Sequence, residues 1–106
     1  LSAETSHDFI EWCGLVEGHI KNSSLELGAK LMKQDLYFDF VGEYPDYAPK
    51  AKMTISRTRF YKWLVAYALY TTGLQPKEGR DPSGRWMIIR PKPLPTQGEI
   101  FDSNGL

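Results

Sequence analysis

Cysteine is almost missing from this chain. Cys13 stands alone, so no intrachain disulfide staples the fold. That usage agrees with a reducing compartment. Histidine is scarce too: His7 and His19 stand twelve residues apart, and with one cysteine they do not make a zinc site. No apolar run approaches the ~20 residues of a membrane span, and no basic-then-apolar N-terminal segment resembles a signal peptide. A cytoplasmic location with no membrane partner is expected. Phosphate-binding loops of the GxxxxGKS/T or GxGxxG form are missing. No serine stands beside a base in a nucleophilic arrangement. Asp35 and Asp39 share a helix face, as do Asp8 with Glu11, but such pairs are ordinarily solvated surface. The chain alone is therefore expected to be no enzyme, with no catalytic residue, metal or cofactor.

Net charge is also lacking, and here the total misleads. Residues 1–49 carry nine acids and three bases, a balance of −6, whereas residues 50–93 carry ten bases and two acids, a balance of +8. Two further acids after residue 93 bring the sum to zero. A polyanion feels the local field rather than the sum, so the segregated basic half points to nucleic acid. The competing explanation is that the two halves attract each other within one fold.

What is present suits a single domain. The 106 residues suffice for one core, and 42% hydrophobic with 25% charged residues places the chain among globular sequences. Aromatic residues at 13% promise a core of large rings. The chain opens at Leu1 without an initiator methionine, which suggests a piece of a longer parent whose other domains are partners. The domain is expected to span 1–93, with its core at 31–90 and a flexible tail at 94–106.

The best-marked helix lies within Met53–Gly73. Ser56 suits an N-cap, Phe60, Trp63, Leu64, Tyr67 and Thr71 recur at helical spacing, and Gly73 suits a left-handed C-terminal cap. Arg57, Arg59 and Lys62, with Thr58 and Tyr61 between them, make its first turns basic and polar.

Upstream, residues 5–17 read as a helix. Thr5 and Asp8 resemble a capping box, Phe9, Trp12, Cys13 and Val16 fall on one face, and Gly18 stops it. Cys13 is expected to be buried and inert. Asn22 to Ser24 mark a turn or cap, with Ser24 able to start a helical turn. Residues 31–44 read as a second helix on the Met32, Leu36, Phe40 series, ended by Pro45. The YPDYAP segment is expected to pack against the next helix, and KAKMT to be a connection or a β-bridge.

Downstream, Leu74–Lys77 and Arg85–Arg90 read as two strands joined by a turn-rich Glu78–Gly84, with Asp81-Pro82-Ser83-Gly84 as a type I turn. Trp86 and Ile88 face one side, Met87 and Ile89 the other. From Pro91, PKPLP favours an extended strap.

Two helices, a capped basic helix and a basic hairpin form the element order of a winged helix-turn-helix, an α+β fold. There the capped helix enters the major groove and the hairpin, or wing, follows the backbone or the next groove. The run ISRTRFYKWLVAYALYTTG followed by a hairpin ending GRWMIIR resembles the C-terminal winged-helix module of phage and plasmid primase-helicases. In that family a Ser-x-x-x-Phe-x-x-x-Leu motif, matched by Ser56, Phe60 and Leu64, precedes a wing ending Gly-Arg-aromatic, matched by Gly84, Arg85 and Trp86. DLYFDFVGEYPDY resembles the helix packed beneath. The likeness spans residues 33–90 and leaves 1–30 unmatched. It implies a non-catalytic DNA-binding accessory domain of a mobile-element replication protein, attached to an ATPase or primase.

The expected nucleic-acid-binding residues are Ser56, Arg57, Thr58, Arg59, Tyr61 and Lys62 on the helix at 56–72, and Lys77, Arg80, Arg85 and Arg90 on the wing at 74–90, with duplex DNA as partner. The alternative is a protein-interaction or oligomerisation module, using Val65 and Leu69 as an apolar patch beside Tyr61.

Overall fold

Three capped helices and a small sheet are assembled in a computed structural model that describes residues 6–16, 18 and 21–91. The expected tail at 94–106, Thr5, Glu17 and most of the proline strap lie outside those residues.

The first helix, α1 (His7–Cys13), is shorter than its apolar pattern suggests. Ser6, not Thr5, is the cap: its Oγ accepts the Phe9 N–H at 3.0 Å. Gly14, not Gly18, ends it, in the left-handed region at φ 82°. The carbonyls freed at this end find a partner in Asn22, whose Nδ2 donates to Trp12 O at 2.9 Å and whose N–H donates to Cys13 O at 3.3 Å. Asn22 also caps a 3-10 turn at Ser23–Leu25, so that turn starts one residue before Ser24.

The expected helix at 31–44 divides. Lys30–Met32 form a strand, β1, which passes without a loop into α2 (Lys33–Glu43). Leu31 and Met32 are claimed by the sheet because they pair with Met87 and Trp86. Pro45 stops α2 as expected and opens a 3-10 turn at Pro45–Tyr47. Tyr47 is buried against Phe40 and Trp63, with ring centroids 5.1 and 6.3 Å away. Residues 50–54 are turn and irregular backbone, so KAKMT is a connection and not a bridge.

Helix α3 (Arg57–Thr72) follows its sequence signals closely. Ser56 Oγ accepts the Arg59 N–H at 3.1 Å, and Gly73, at φ 75°, donates its N–H to Leu69 O at 2.8 Å. The hairpin is displaced from its expected frame. β2 is Lys77–Asp81 and β3 is Gly84–Ile88, leaving only Pro82 and Ser83 as the tip. Residues Glu78–Asp81, expected in the turn, are ladder residues because each has a partner on β3. The Asp81 carboxylate turns the chain by accepting the Ser83 N–H at 2.9 Å.

The sheet is antiparallel throughout, in the order β1-β3-β2. Met87 and Ile89 are fully buried beneath the helices, whereas Trp86 and Ile88 on the other face are half-buried, as strand alternation requires. The core is aromatic. Phe60 of α3 stacks on Phe40 of α2 at 5.3 Å and meets Phe9, Trp12 and Tyr37 edge-on at 5.7–5.8 Å. Leu36, Leu64 and Tyr67 complete the same cluster. Cys13 is fully buried in it, and that burial pushes its thiol pKa up, away from reactive thiolate. The result is an α+β domain of three helices and a three-stranded antiparallel sheet among the described residues, an arrangement compatible with a winged helix.

Candidate nucleic-acid interface

Strand parity places the hairpin arginines. Cross-strand partners share a face, so Glu78 and Met87, then Arg80 and Arg85, lie on the side of the sheet that covers the helices. Met87 ends in the core. One step nearer the tip, that face carries two exposed arginines directly opposite each other. Beneath them lies the first turn of α3. Arg80 and Arg85 thus share a hollow of about 500 Å³ with Arg57, Thr58 and Tyr61, and with Gln34 from α2.

Arg57 is held from three sides. Its Nη1 donates to Gln34 Oε1 at 3.2 Å, and its guanidinium lies 5.0 Å from the Phe38 ring and 5.6 Å from the Tyr37 ring. Tyr61 sits below it. Burial raises the phenol pKa, and the nearby Arg57 and Arg85 charges partly oppose that shift. Tyr61 therefore stands as a neutral hydroxyl facing two guanidiniums.

The other face of the α3 N-terminus carries a second hollow of about 400 Å³, lined by Ser56, Thr58, Arg59, Lys62 and Trp63. Thr58 lines both hollows. The six basic residues expected to act together are thus divided: Arg57, Arg80 and Arg85 on one side of Thr58, Arg59 and Lys62 on the other, and Lys77 elsewhere. Lys77 pairs with Ile88 at the end of β2 remote from the tip, on the opposite sheet face from Arg80. Arg90 is exposed beyond the end of β3, and neither it nor Lys77 lines either hollow.

Two acids stand among these bases, and both are already engaged. Lys30 Nζ bonds Asp81 Oδ2 at 2.5 Å, and Lys33 Nζ bonds Glu78 Oε1. The Lys30 ammonium, followed by the Ser83 N–H, draws the Asp81 carboxyl below its ordinary pKa. Among the described residues no ion pair involves Arg57, Arg59, Lys62, Arg80 or Arg85. Sequence reasoning missed Lys30, Lys33 and Gln34, because none lies on the apolar helix stripe and the partners of the two lysines lie 45 to 51 residues away. Only the β1–β3 pairing, which a three-residue strand barely signals, brings them together.

The acids of the N-terminal half gather elsewhere and hold the helices together. Tyr47 Oη donates to Asp8 at 3.0 Å, Tyr44 Oη to Glu11 at 2.7 Å, and Trp12 Nε1 to Asp39 at 2.8 Å. Burial first, then the bond to Glu11 and the surrounding acids, pushes the Tyr44 pKa up to about 12. Glu11, Asp39 and Glu43 line one hollow of about 500 Å³ towards the C-terminal end of α2, while Gln34, in its first turn, lines the basic hollow. The charge segregation of the sequence is thus retained along α2. Among the described residues no three His, Cys, Asp or Glu side chains gather as a metal site, and no helix is long and apolar enough to cross a membrane. Neither a known protein family, nor a curated protein, nor a solved structure matches the chain.

Proposed function

We propose that this chain is a winged helix-turn-helix domain that binds duplex DNA, non-catalytically, as an accessory to a phage- or plasmid-type replication protein of the primase-helicase kind in the cytoplasm. The observation that carries the reading is the set of uncompensated bases reaching one hollow from two elements. Among the described residues, Arg57 at the start of α3 and Arg80 with Arg85 on the hairpin have no acidic partner, although two acids lie within the same hairpin. Like charges facing each other across a ladder are unfavourable, and a bound phosphate removes that repulsion. The element order and the strand order β1-β3-β2 fit a wing placed beside a recognition helix.

Arg80 and Arg85 serve as phosphate contacts. Arg57, Thr58 and Arg59, at the helix start, are the groups able to reach base edges. The replication-protein assignment rests on the Ser56/Phe60/Leu64 and Gly84/Arg85/Trp86 resemblance alone. Binding of fluorescent duplex DNA at several salt concentrations tests the DNA reading: affinity falling with salt supports phosphate contacts. Failure to bind at low salt, with self-association instead, favours a protein-interaction module. That second reading is supported by the apolar exposure of Leu69 and Tyr70 on the C-terminal half of α3, of which Tyr70 is 63% exposed.

A further inference from the structure

The hairpin holds its own potential inhibitors. Glu78 shares a sheet face with Arg80, two residues along the strand, and is the diagonal neighbour of Arg85 across the ladder. Long side chains reach across such diagonals. Asp81 follows Arg80 at the tip; its side chain leaves the opposite sheet face, but the residue borders the same hollow. Left free, the Glu78 carboxylate shares a face with both guanidiniums, and Asp81 stands at the rim of their hollow. Instead Glu78 is turned towards the first turn of α2 and Asp81 towards β1. Lys30 takes Asp81, and Lys33 takes Glu78.

Lys33 has little other use. Its side chain is only 5% exposed, so its ammonium cannot reach a polyanion outside the protein. It sits 5.3 Å from the ring of Tyr61, a residue that lines the basic hollow. A buried ammonium is costly without a partner, so the pair with Glu78 is held firmly, while Glu78 itself remains partly accessible.

We infer that Lys30 and Lys33 are positioning residues for the anion-binding hollow: by holding Asp81 and Glu78 they keep Arg80 and Arg85 unpaired and aimed at the phosphate backbone. The inference rests on the DNA reading for its ligand, but the rearrangement it describes belongs to the free protein and is measurable there.

The test is a mutant cycle on the full chain, read with a short fluorescein-labelled DNA duplex. Lys30→Gln with Lys33→Met frees both acids. The expected result is weaker binding and a salt slope of log K reduced by roughly 1.8, the loss of two phosphate contacts, although Lys33 is buried and neither lysine lines the hollow. Adding Glu78→Gln and Asp81→Asn to that variant restores the slope. The same two amides in the wild-type background change it far less. Neutralising one acid at the far end of α2 and one in the turn after it, by Glu43→Gln with Asp46→Asn, alters net charge equally and does not restore the slope.

An unchanged lysine variant overturns the inference. So does equal rescue by the two pairs of amides, which would reduce the effect to net charge. If Lys33→Met does not fold, Lys33→Gln carries the same cycle with Glu78→Gln, since Glu78 shares its sheet face with Arg80 and Arg85. If the wild type binds no DNA, the proposed function falls, and the inference is judged separately by hydrogen exchange at the Arg80 and Arg85 Nε–H, read by nitrogen-15 NMR. Slowed exchange in the lysine variant supports pairing with the freed acids, and unchanged exchange refutes it.

Discussion

Phe60 joins the fold to the interface, because it lies on α3 between Arg59 and Tyr61 while its ring is fully buried. It stacks on Phe40 at 5.3 Å and meets Phe9, Trp12 and Tyr37 edge-on. Truncating such a ring to alanine removes the transfer energy of the ring and leaves a cavity, a loss of about 3–5 kcal/mol. A domain of this size has a total stability of about 5–15 kcal/mol. With a urea m-value of about 1–3 kcal/mol/M, Phe60→Ala is expected to lower the unfolding midpoint by roughly 2 M. Phe60→Leu refills most of the volume but forfeits ring-on-ring geometry, each contact being worth about 0.5–1.5 kcal/mol without strict additivity. Its expected cost is therefore roughly 1–2.5 kcal/mol. Because the ring does not reach the surface, folded Phe60→Leu keeps its surface charges where they are. Paired urea melts of the two variants decide the matter. A loss below about 1 kcal/mol in Phe60→Ala would remove Phe60 from the centre of the core, and a Phe60→Leu variant as stable as wild type would show that ring geometry contributes nothing.

Gly79→Ala is expected to dislodge Trp86, because an added Cβ stands 2.3 Å from the indole Cζ2. A cost of about 1–3 kcal/mol and a red-shifted tryptophan emission are the readouts; unchanged emission counts against the Gly79–Trp86 contact. Tyr44, with its pKa pushed up to about 12, is neutral in the folded protein well into alkali. Its contribution is fully present below the ordinary tyrosine value of about 10 and is lost as pH rises towards the folded value. Urea midpoints should therefore fall above pH ~10, less steeply in Tyr44→Phe, and identical profiles refute the assignment. Asp81 runs the other way. Its lowered carboxyl contributes above the ordinary value of about 3.9 and loses that contribution as pH falls through the lower folded value. Amide exchange at Ser83, whose N–H bonds Asp81, is expected to accelerate only in that acid range, and in Asp81→Asn the acceleration should vanish.

The sequence was most legible where a local signal agreed with the tertiary fold. Ser56 and Gly73 bracket α3 because side-chain and glycine capping are local chemistry. Met87 and Ile89 face inward because strand alternation is local geometry. Boundaries set by competition were not legible. Thr5 with Asp8 looks like a capping box, yet Ser6 makes the bond, and Gly14 ends the helix before the apolar stripe ends. Met32 continues the Leu36 and Phe40 series at a spacing of four, so only its pairing with Trp86 reveals β1. Glu78-Gly79-Arg80-Asp81 looks like turn sequence, but each residue pairs with one on β3, and Gly79 leaves the room that the Trp86 ring occupies. The candidate site was half legible. Its arginines are visible in the sequence, but their freedom depends on Lys30 and Lys33, whose partners are set by the sheet register.

The central claim is that Arg80 and Arg85 are phosphate contacts beside a base-reading helix start. Its most direct measurement is the salt dependence of duplex binding for wild type, Arg80→Ala/Arg85→Ala and Arg57→Ala, each on several DNA sequences. The hairpin variant is expected to lose about 1.8 from the salt slope and to weaken on all sequences alike. Arg57→Ala is expected also to flatten any preference among sequences. Affinity and slope unchanged in both variants would contradict the account, leaving the basic half to balance the acidic half and α3 to serve a protein partner.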